Sequence, residues 1–298
     1  MTRCPVCLVQ LNDTIARLSD HFYALQLKND ADHIMWLNRY IGKQRFGQDE
    51  LELKFEKFFR TASIKKWIIS NFVRKFYGDP PHMFIVEMQH PEEYVLKGYA
   101  MEHHHFLKQW VRSCASIISN TDKEDVQAFE IENIVSEWYG AGGDKPSHHE
   151  LLLRMGESLG VSRDAIYGSD PLPETKRAVE AWSMMSRDFT FVEGMAAMHS
   201  LELIASRKIR EYGASMGYFD PAILKDGSIT EEAANFLGEG YNADVSHSET
   251  ALDLIEKYST EMRNTQDCQA VFLKSIEVFD DYLNARLERG MMLEDKQQ

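Results

Sequence analysis

Residues 8–25 run LVQLNDTIARLSDHFYAL, and the apolar members Leu8, Leu11, Ile15, Leu18, Phe22 and Leu25 step by 3, 4, 3, 4 and 3. That period stacks them on one face of an α-helix, because a helical turn takes about 3.6 residues. The same stepping recurs near the C-terminus at Phe272, Ile276, Phe279, Leu283 and Leu287. Between these two ends it predicts further helices over roughly 31–44, 50–61, 64–77, 92–119, 122–139, 148–159, 174–187, 190–212, 230–240 and 243–263. Pro91 followed by Glu92 and Glu93 suits a helix start, through its fixed φ and favourable charge at the N-terminal dipole. Gly160 can end one helix in the left-handed region and Ser162 can cap the next short one. The one strand-like run, Met83-Phe84-Ile85-Val86, has no evident partner. The expected fold is all-α: one domain over 1–298, a compact bundle of long helices, with loops at Gly140–Pro146 and Gly168–Pro173 and fraying over Glu294–Gln298.

The chain carries 33 Lys+Arg against 47 Asp+Glu, a net charge of −14. That balance disfavours a nucleic-acid backbone or an anionic membrane as the main partner, since both need a basic face. Hydrophobic residues at 44%, of which a quarter are aromatic, suffice for a packed core. There is no apolar run of about 18 residues, and Met1-Thr2-Arg3-Cys4-Pro5 lacks an apolar signal core, so a cytoplasmic protein is expected. Cys4-x-x-Cys7 is half of a zinc or redox motif, but no second close cysteine pair completes it. Cys4, Cys7, Cys114 and Cys268 are therefore read mostly as structural thiols.

Three short motifs fail on context. Gly156-Glu157-Ser158-Leu159-Gly160 matches the G-x-S-x-G pattern of hydrolases, yet that serine needs a strand before it and here a helix precedes it. Gly140-Ala141-Gly142-Gly143 follows a helix, whereas phosphate loops follow a strand and open a helix. Glu87-x-x-His90 and Glu102-x-x-His105 have the spacing of diiron bundles, but Pro91 disfavours helical geometry at His90 and the two lie too close in sequence to sit on separate helices. Glu102 and His105 are kept as additional candidates, because of three consecutive histidines at 103–105 at least one must face inward.

The chemistry-bearing residues lie further on. Asp244-Val245-Ser246-His247 sets an acid and an imidazole at i and i+3, on one helical face. Glu202 sits in the middle of 194–209, a segment otherwise rich in Ala, Met, Leu and Ile, where a carboxylate must reach solvent or be held by a cation. Glu137 occupies the last turn of one helix and His148 opens the next, so the two can meet at one end of an antiparallel pair. Taken singly, each is also an ordinary salt bridge or cap. Jointly, acid and histidine recur on successive helices, as a His/carboxylate metal site requires.

These residues resemble the heme-oxygenase-like metal oxidases, all-α relatives of the thiaminase and pyrroloquinoline-quinone-synthase folds, over roughly 93–262. The resemblance rests on Asn133-Ile134-Val135-Ser136-Glu137, on His148-His149-Glu150-Leu151-Leu152 running to Ser158-Leu159-Gly160-Val161-Ser162, on Ala196-Ala197-Met198-His199-Ser200-Leu201-Glu202, and on Asp244-Val245-Ser246-His247-Ser248-Glu249. It implies a heme-oxygenase-like helical bundle with Glu137, His148, Glu202, Asp244 and His247 as ligands of one or two Fe(II) ions that activate O₂. His148 is preferred over His149 because its distance to the Leu159-Gly160 helix end fits the family better. The family's further histidine, one turn before the aspartate, is Gly240 here; His199, three residues before Glu202, is either its substitute, a substrate contact or a core histidine. The implied function is a non-heme iron oxidase or oxygenase acting on a small amine, amino acid or fatty acid. The alternatives are a metal-free enzyme on the same scaffold, thiaminase-like or a cofactorless oxidase, and a non-catalytic binding protein. Expected partners are a small-molecule substrate and O₂, with a homodimer as the candidate assembly and no nucleic acid or membrane.

Overall fold

The computed structural model describes residues 2–11, 15–140 and 145–295, with residues 242–247 described in their backbone alone. A two-stranded antiparallel hairpin, β1 (Thr2–Arg3) and β2 (Gln10–Leu11), opens the chain. Four helices follow: α1 (Ile15–Leu27), α2 (Ala31–Tyr40), α3 (Gln48–Phe59) and α4 (Ile64–Phe76). The short α5 (Met83–Glu87) leads to α6 (Glu93–Ser119), α7 (Glu124–Trp138), α8 (His148–Ser158) and α9 (Arg163–Tyr167). The chain continues through α10 (Pro173–Asp188) and α11 (Phe191–Met198), and ends with α12 (Glu231–Glu261) and α13 (Thr265–Asp295). The fold is an all-α helical bundle. No helix among the described residues is long and apolar enough to cross a membrane.

Local chemistry explains most boundaries. Ser147 caps α8 by accepting from the Glu150 amide, and Ser162 caps α9 from the Ala165 amide, each satisfying a donor that has no partner inside the helix. Thr190 and Glu193 form a reciprocal capping box that starts α11. Gly160, at φ +81°, supplies the left-handed residue that ends α8. The long α6 lies against α13, with α10 and α11 packed on the pair and α7, α8 and α12 closing the other side. One apolar core runs from Cys4 in the hairpin to Leu287 in α13.

Four expectations are corrected. The helix predicted from Leu8 begins only at Ile15, because Leu8 has φ +57° and turns the chain so that Thr2 pairs with Leu11 and Arg3 with Gln10. Met83–Val86 is the start of α5, not a strand; with no neighbouring strand, its amides are satisfied only by local helical bonds. The separate helices at 230–240 and 243–263 are the single α12, since nothing at Tyr241 or Asn242 breaks a helix and an interior glycine costs only about 1 kcal/mol. The helix predicted over 190–212 stops at Met198 and winds on as a 3-10 segment, His199–Ile204, followed by another at Arg207–Arg210. That last break shapes the site, because side chains three apart eclipse in a 3-10 turn and His199 comes directly over Glu202.

Candidate metal centre

Glu137 at the end of α7, His148 at the start of α8 and Glu202 in the 3-10 segment line one cavity of about 90 Å³. His148 Nδ1 lies 3.1 Å from Glu137 Oε2, across the loop that turns α7 back into α8. The His148 ring stacks on Phe236 of α12, with centroids 4.6 Å apart, which fixes its plane. Asp244 and His247 also belong to α12, but their side chains lie outside the described residues. The glycine run 140–143 lies mostly outside them as well.

Behind Glu202 runs a buried relay. His199 Nδ1 is 2.8 Å from Glu202 Oε1, and His199 Nε2 is 2.8 Å from Glu130 Oε1 on α7. Burial works against charging His199, yet the carboxylates of Glu130 and Glu202 outweigh it and push its pKa up to about 10. Both nitrogens of the imidazole face carboxylates, which hold the ring between α7 and the 3-10 segment. Glu202 Oε2 and Glu130 Oε2 are buried and have no hydrogen-bond partner among the described residues. Two buried carboxylates around one imidazolium leave an excess negative charge, and such a charge calls for a cation. Orphaned Glu202 Oε2 and the Glu137–His148 pair line the same cavity and are donors of the kind a hard or borderline divalent metal takes, although their ligand atoms do not all lie within 4.8 Å of one another; among the described residues behind Glu202, Cys114, Glu130 and His199 meet that spacing.

The other candidates sit elsewhere. Glu102 is fully buried, but its Oε1 accepts from Arg289 Nε at 2.6 Å and its Oε2 from the Leu172 amide at 3.2 Å, a structural tie between α6, α13 and the segment before α10. His105 meets Ser169 Oγ at 3.3 Å on the same side of α6. Neither lines the cavity; of the run, His103 and His104 both face inward, and His103 lines the cavity while His104 Nδ1 lies 3.0 Å from His149 Nε2. Glu130 and Arg286 escaped the sequence reading. Glu130 precedes Glu137 by seven residues, two helical turns, and that spacing was the available signal.

A second cluster lies at the N-terminus. Cys4 Sγ is 3.4 Å from His33 Nε2, Cys7 Sγ is 3.4 Å from His21 Nε2, and all four ligand atoms lie within 4.8 Å of one another. A tetrahedral zinc with bonds of about 2.3 Å to sulfur and 2.0–2.1 Å to nitrogen separates S and N by about 3.5 Å, so the residues fit that ion. His33 Nδ1 is 2.7 Å from Asp30 Oδ1, the carboxylate that orients a metal-binding imidazole from behind. Hydrogen bonding from Cys4, and then from the two histidines, lowers the Cys7 thiol far below its ordinary range despite some burial. The reading of these two cysteines as structural thiols missed this set because the completing ligands are histidines on two different helices, α1 and α2. Cys114 and Cys268 are fully buried, and burial raises both thiols well above the usual range.

Comparison with known proteins agrees with this division. Residues 1–60 match the model of a C2H2 type zinc-finger, and residues 70–289, well over half of the chain, match that of the TENA/THI-4/PQQC family. No curated protein matches the sequence. Among solved structures, a TenA homolog from Pseudomonas syringae pv. tomato str. DC3000 is similar, at 14% identity and a TM-score of 0.52, over 80% of this chain and 92% of that one. At that identity the likeness speaks for the fold alone, an all-α bundle related to heme-oxygenase-like proteins. Members of the matched family are usually enzymes, of thiaminase-like or pyrroloquinoline-quinone-synthase-like kinds. By the extent of the family match, this chain belongs to the TENA/THI-4/PQQC family.

Proposed function

We propose that the chain is a non-heme iron oxidase or oxygenase, with Glu137, His148 and Glu202 as iron ligands and Asp244 and His247 completing the set. The observation that carries the reading is Glu202 Oε2, buried without a partner beside the same cavity as the Glu137–His148 pair. Iron held by carboxylates and imidazoles would supply O₂ activation there. The chain's own residues do the rest. His199, held from behind by Glu130, clamps Glu202 Oε1 and leaves Oε2 to the metal, Phe236 fixes the plane of His148, and Phe106 and Trp110 add an apolar wall to the cavity. The second reading, a thiaminase-like or cofactorless enzyme on the same scaffold, is compatible with the family match, although no cysteine lines this cavity among the described residues. The test is metal analysis of chain purified without chelators. Glu137→Ala, His148→Ala and Glu202→Ala are each expected to lose iron while keeping helical circular dichroism, and wild-type iron content in all three would overturn the assignment.

We infer as well that Cys4, Cys7, His21 and His33 hold a structural zinc that fastens the N-terminal hairpin to α1 and α2. The 3.4 Å sulfur–nitrogen edges and the Asp30–His33 bond support this. One equivalent of zinc that survives loss of the iron ligands but not Cys4→Ala is the expected result; zinc retained by Cys4→Ala would refute it.

A further inference from the structure

The cavity has a second wall, opposite in charge to the carboxylates. Arg286 of α13 lines it and is only 2% exposed. Its Nη1 donates to Tyr218 Oη at 3.1 Å, and its Nη2 lies 2.8 Å from both Tyr282 Oη and His103 Nδ1. The rings of Tyr99, Tyr282 and Phe84 stand 4.0, 4.5 and 5.1 Å from its Cζ. Its Nε is buried and has no hydrogen-bond partner among the described residues. Arg289, one turn further on, is paired with Glu102, whereas Arg286 meets no carboxylate among the described residues.

None of these neighbours can neutralise it. Burial raises the Tyr218 and Tyr282 hydroxyls above their ordinary range, so both remain phenols. The guanidinium can only donate, so His103 Nδ1 is the acceptor of their bond and brings no negative charge. Aromatic faces ease the desolvation of a cation without cancelling its charge. A buried guanidinium that lines a cavity and meets no carboxylate of the described residues is complementary in charge to a carboxylate ligand, which accepts charge-assisted bonds from it.

We infer that Arg286 is the anchor for a substrate carboxylate: the molecule this cavity takes is a compact carboxylic acid or amino acid, held at one end by Arg286 and Tyr218 and presenting its other end to Glu137, His148 and Glu202. The two ends are close, since the His103 ring beside Arg286 is 6.2 Å from the His148 ring, so the carboxylate and the reacting carbon or nitrogen are separated by only a few bonds. A bare hydrocarbon amine would leave the cation uncompensated, which narrows the substrate class implied by the iron reading. The inference rests on that reading only for the reacting end; the anchor itself needs no metal.

The test uses the full chain, freed of iron but with zinc retained, and propionate as the probe, with propionamide as its neutral isostere at constant chloride. Ligand-observed NMR titration is expected to show propionate binding at least tenfold more tightly than propionamide. Arg286→Gln should abolish that preference, Arg286→Lys should retain part of it, and Tyr218→Phe should weaken propionate several-fold. Equal binding of the two probes by the wild type, or an undiminished preference in Arg286→Gln, would overturn the inference. If Arg286→Gln does not fold, the wild-type preference and its loss in Tyr218→Phe decide the matter. Iron content measured on the same preparations keeps the two readings apart: iron bound without a carboxylate preference sinks only the anchor, and a preference without iron sinks only the metal centre.

Discussion

Replacing Gly98 by alanine sets two effects of opposite sign against each other. Gly98 lies inside α6, where alanine ordinarily gains about 1 kcal/mol of helix propensity. A Cβ at this position would stand 2.0 Å from the Arg286 carbonyl oxygen and 2.6 Å from the Gly290 amide nitrogen. Both are backbone atoms of α13, so no side chain can swing aside. An ordinary contact begins near 3.4 Å, and the two helices would have to part by about 1.4 Å. Overpacking of this kind costs roughly 1–3 kcal/mol and occasionally more, and separating the central helix pair adds lost dispersion contacts. Gly98→Ala is therefore expected to lose about 2 kcal/mol or more, and to shift Arg286 away from His103. Gly238→Ala in α12 is the control: its nearest neighbour, Leu224 Cδ1, is 4.0 Å from the new Cβ, and it should gain up to about 1 kcal/mol. Urea unfolding followed by circular dichroism separates the two through their midpoints at a constant slope. If Gly98→Ala is as stable as the wild type, the close approach of α6 and α13 does not govern this region and the reasoning fails.

Other perturbations read different parts of the molecule. Burial, then the nearby Glu193 carboxylate, raises Asp267 to about 6 against the pull of Arg3. A carboxyl raised on folding costs stability as the unfolded group ionises first, so its penalty is absent below about pH 4, grows between about 4 and 6 and is constant above; Asp267→Asn should add about 1–2 kcal/mol at pH 7 after allowance for screening and almost nothing at pH 4, as urea titrations at the two values would show. Asp30→Asn removes the carboxylate behind His33 and should weaken zinc roughly 10–100-fold in competition with a chromophoric chelator, while unchanged affinity would mean that the His33 orientation is set by packing alone. Gly240→His supplies the imidazole that the resemblance to the metal oxidases implies one turn before the aspartate; the variant should bind a second Fe(II) more tightly than the wild type, and identical stoichiometry and affinity would make position 240 irrelevant.

Periodicity made α6, α7, α8, α10 and α13 readable in the sequence, because each buries a long stripe against the others. It could not reveal the hairpin at Thr2–Leu11, whose register depends on the left-handed Leu8, nor the tightening of the helix at His199, whose ring is held by Glu202 of its own turn and by Glu130 of α7. Glu137, His148 and Glu202 stood out as acids and imidazoles on successive helices, and they line one cavity. Glu102 stood out for the same reason and went to Arg289 instead, since residue spacing says nothing about which cation a carboxylate meets in three dimensions. Arg286 was hidden beside an apolar stripe. It is three residues past Leu283 and four past Tyr282, so it shares their inward face, and a charge at an inward position is the sequence signal that could have found it. The zinc set escaped a template built on paired cysteines, because its histidines are separated by a helix boundary.

The account's central claim is an O₂-reactive iron bound by Glu137, His148 and Glu202, and anaerobic Fe(II) titration followed by admission of O₂ at an oxygen electrode tests it most directly. The account predicts saturable binding of one or two Fe(II) per chain and O₂ uptake that follows bound iron, with both lost in Glu202→Ala and zinc content unchanged. No saturable iron binding by the wild type, or uptake in Glu202→Ala equal to that of the wild type, would contradict it.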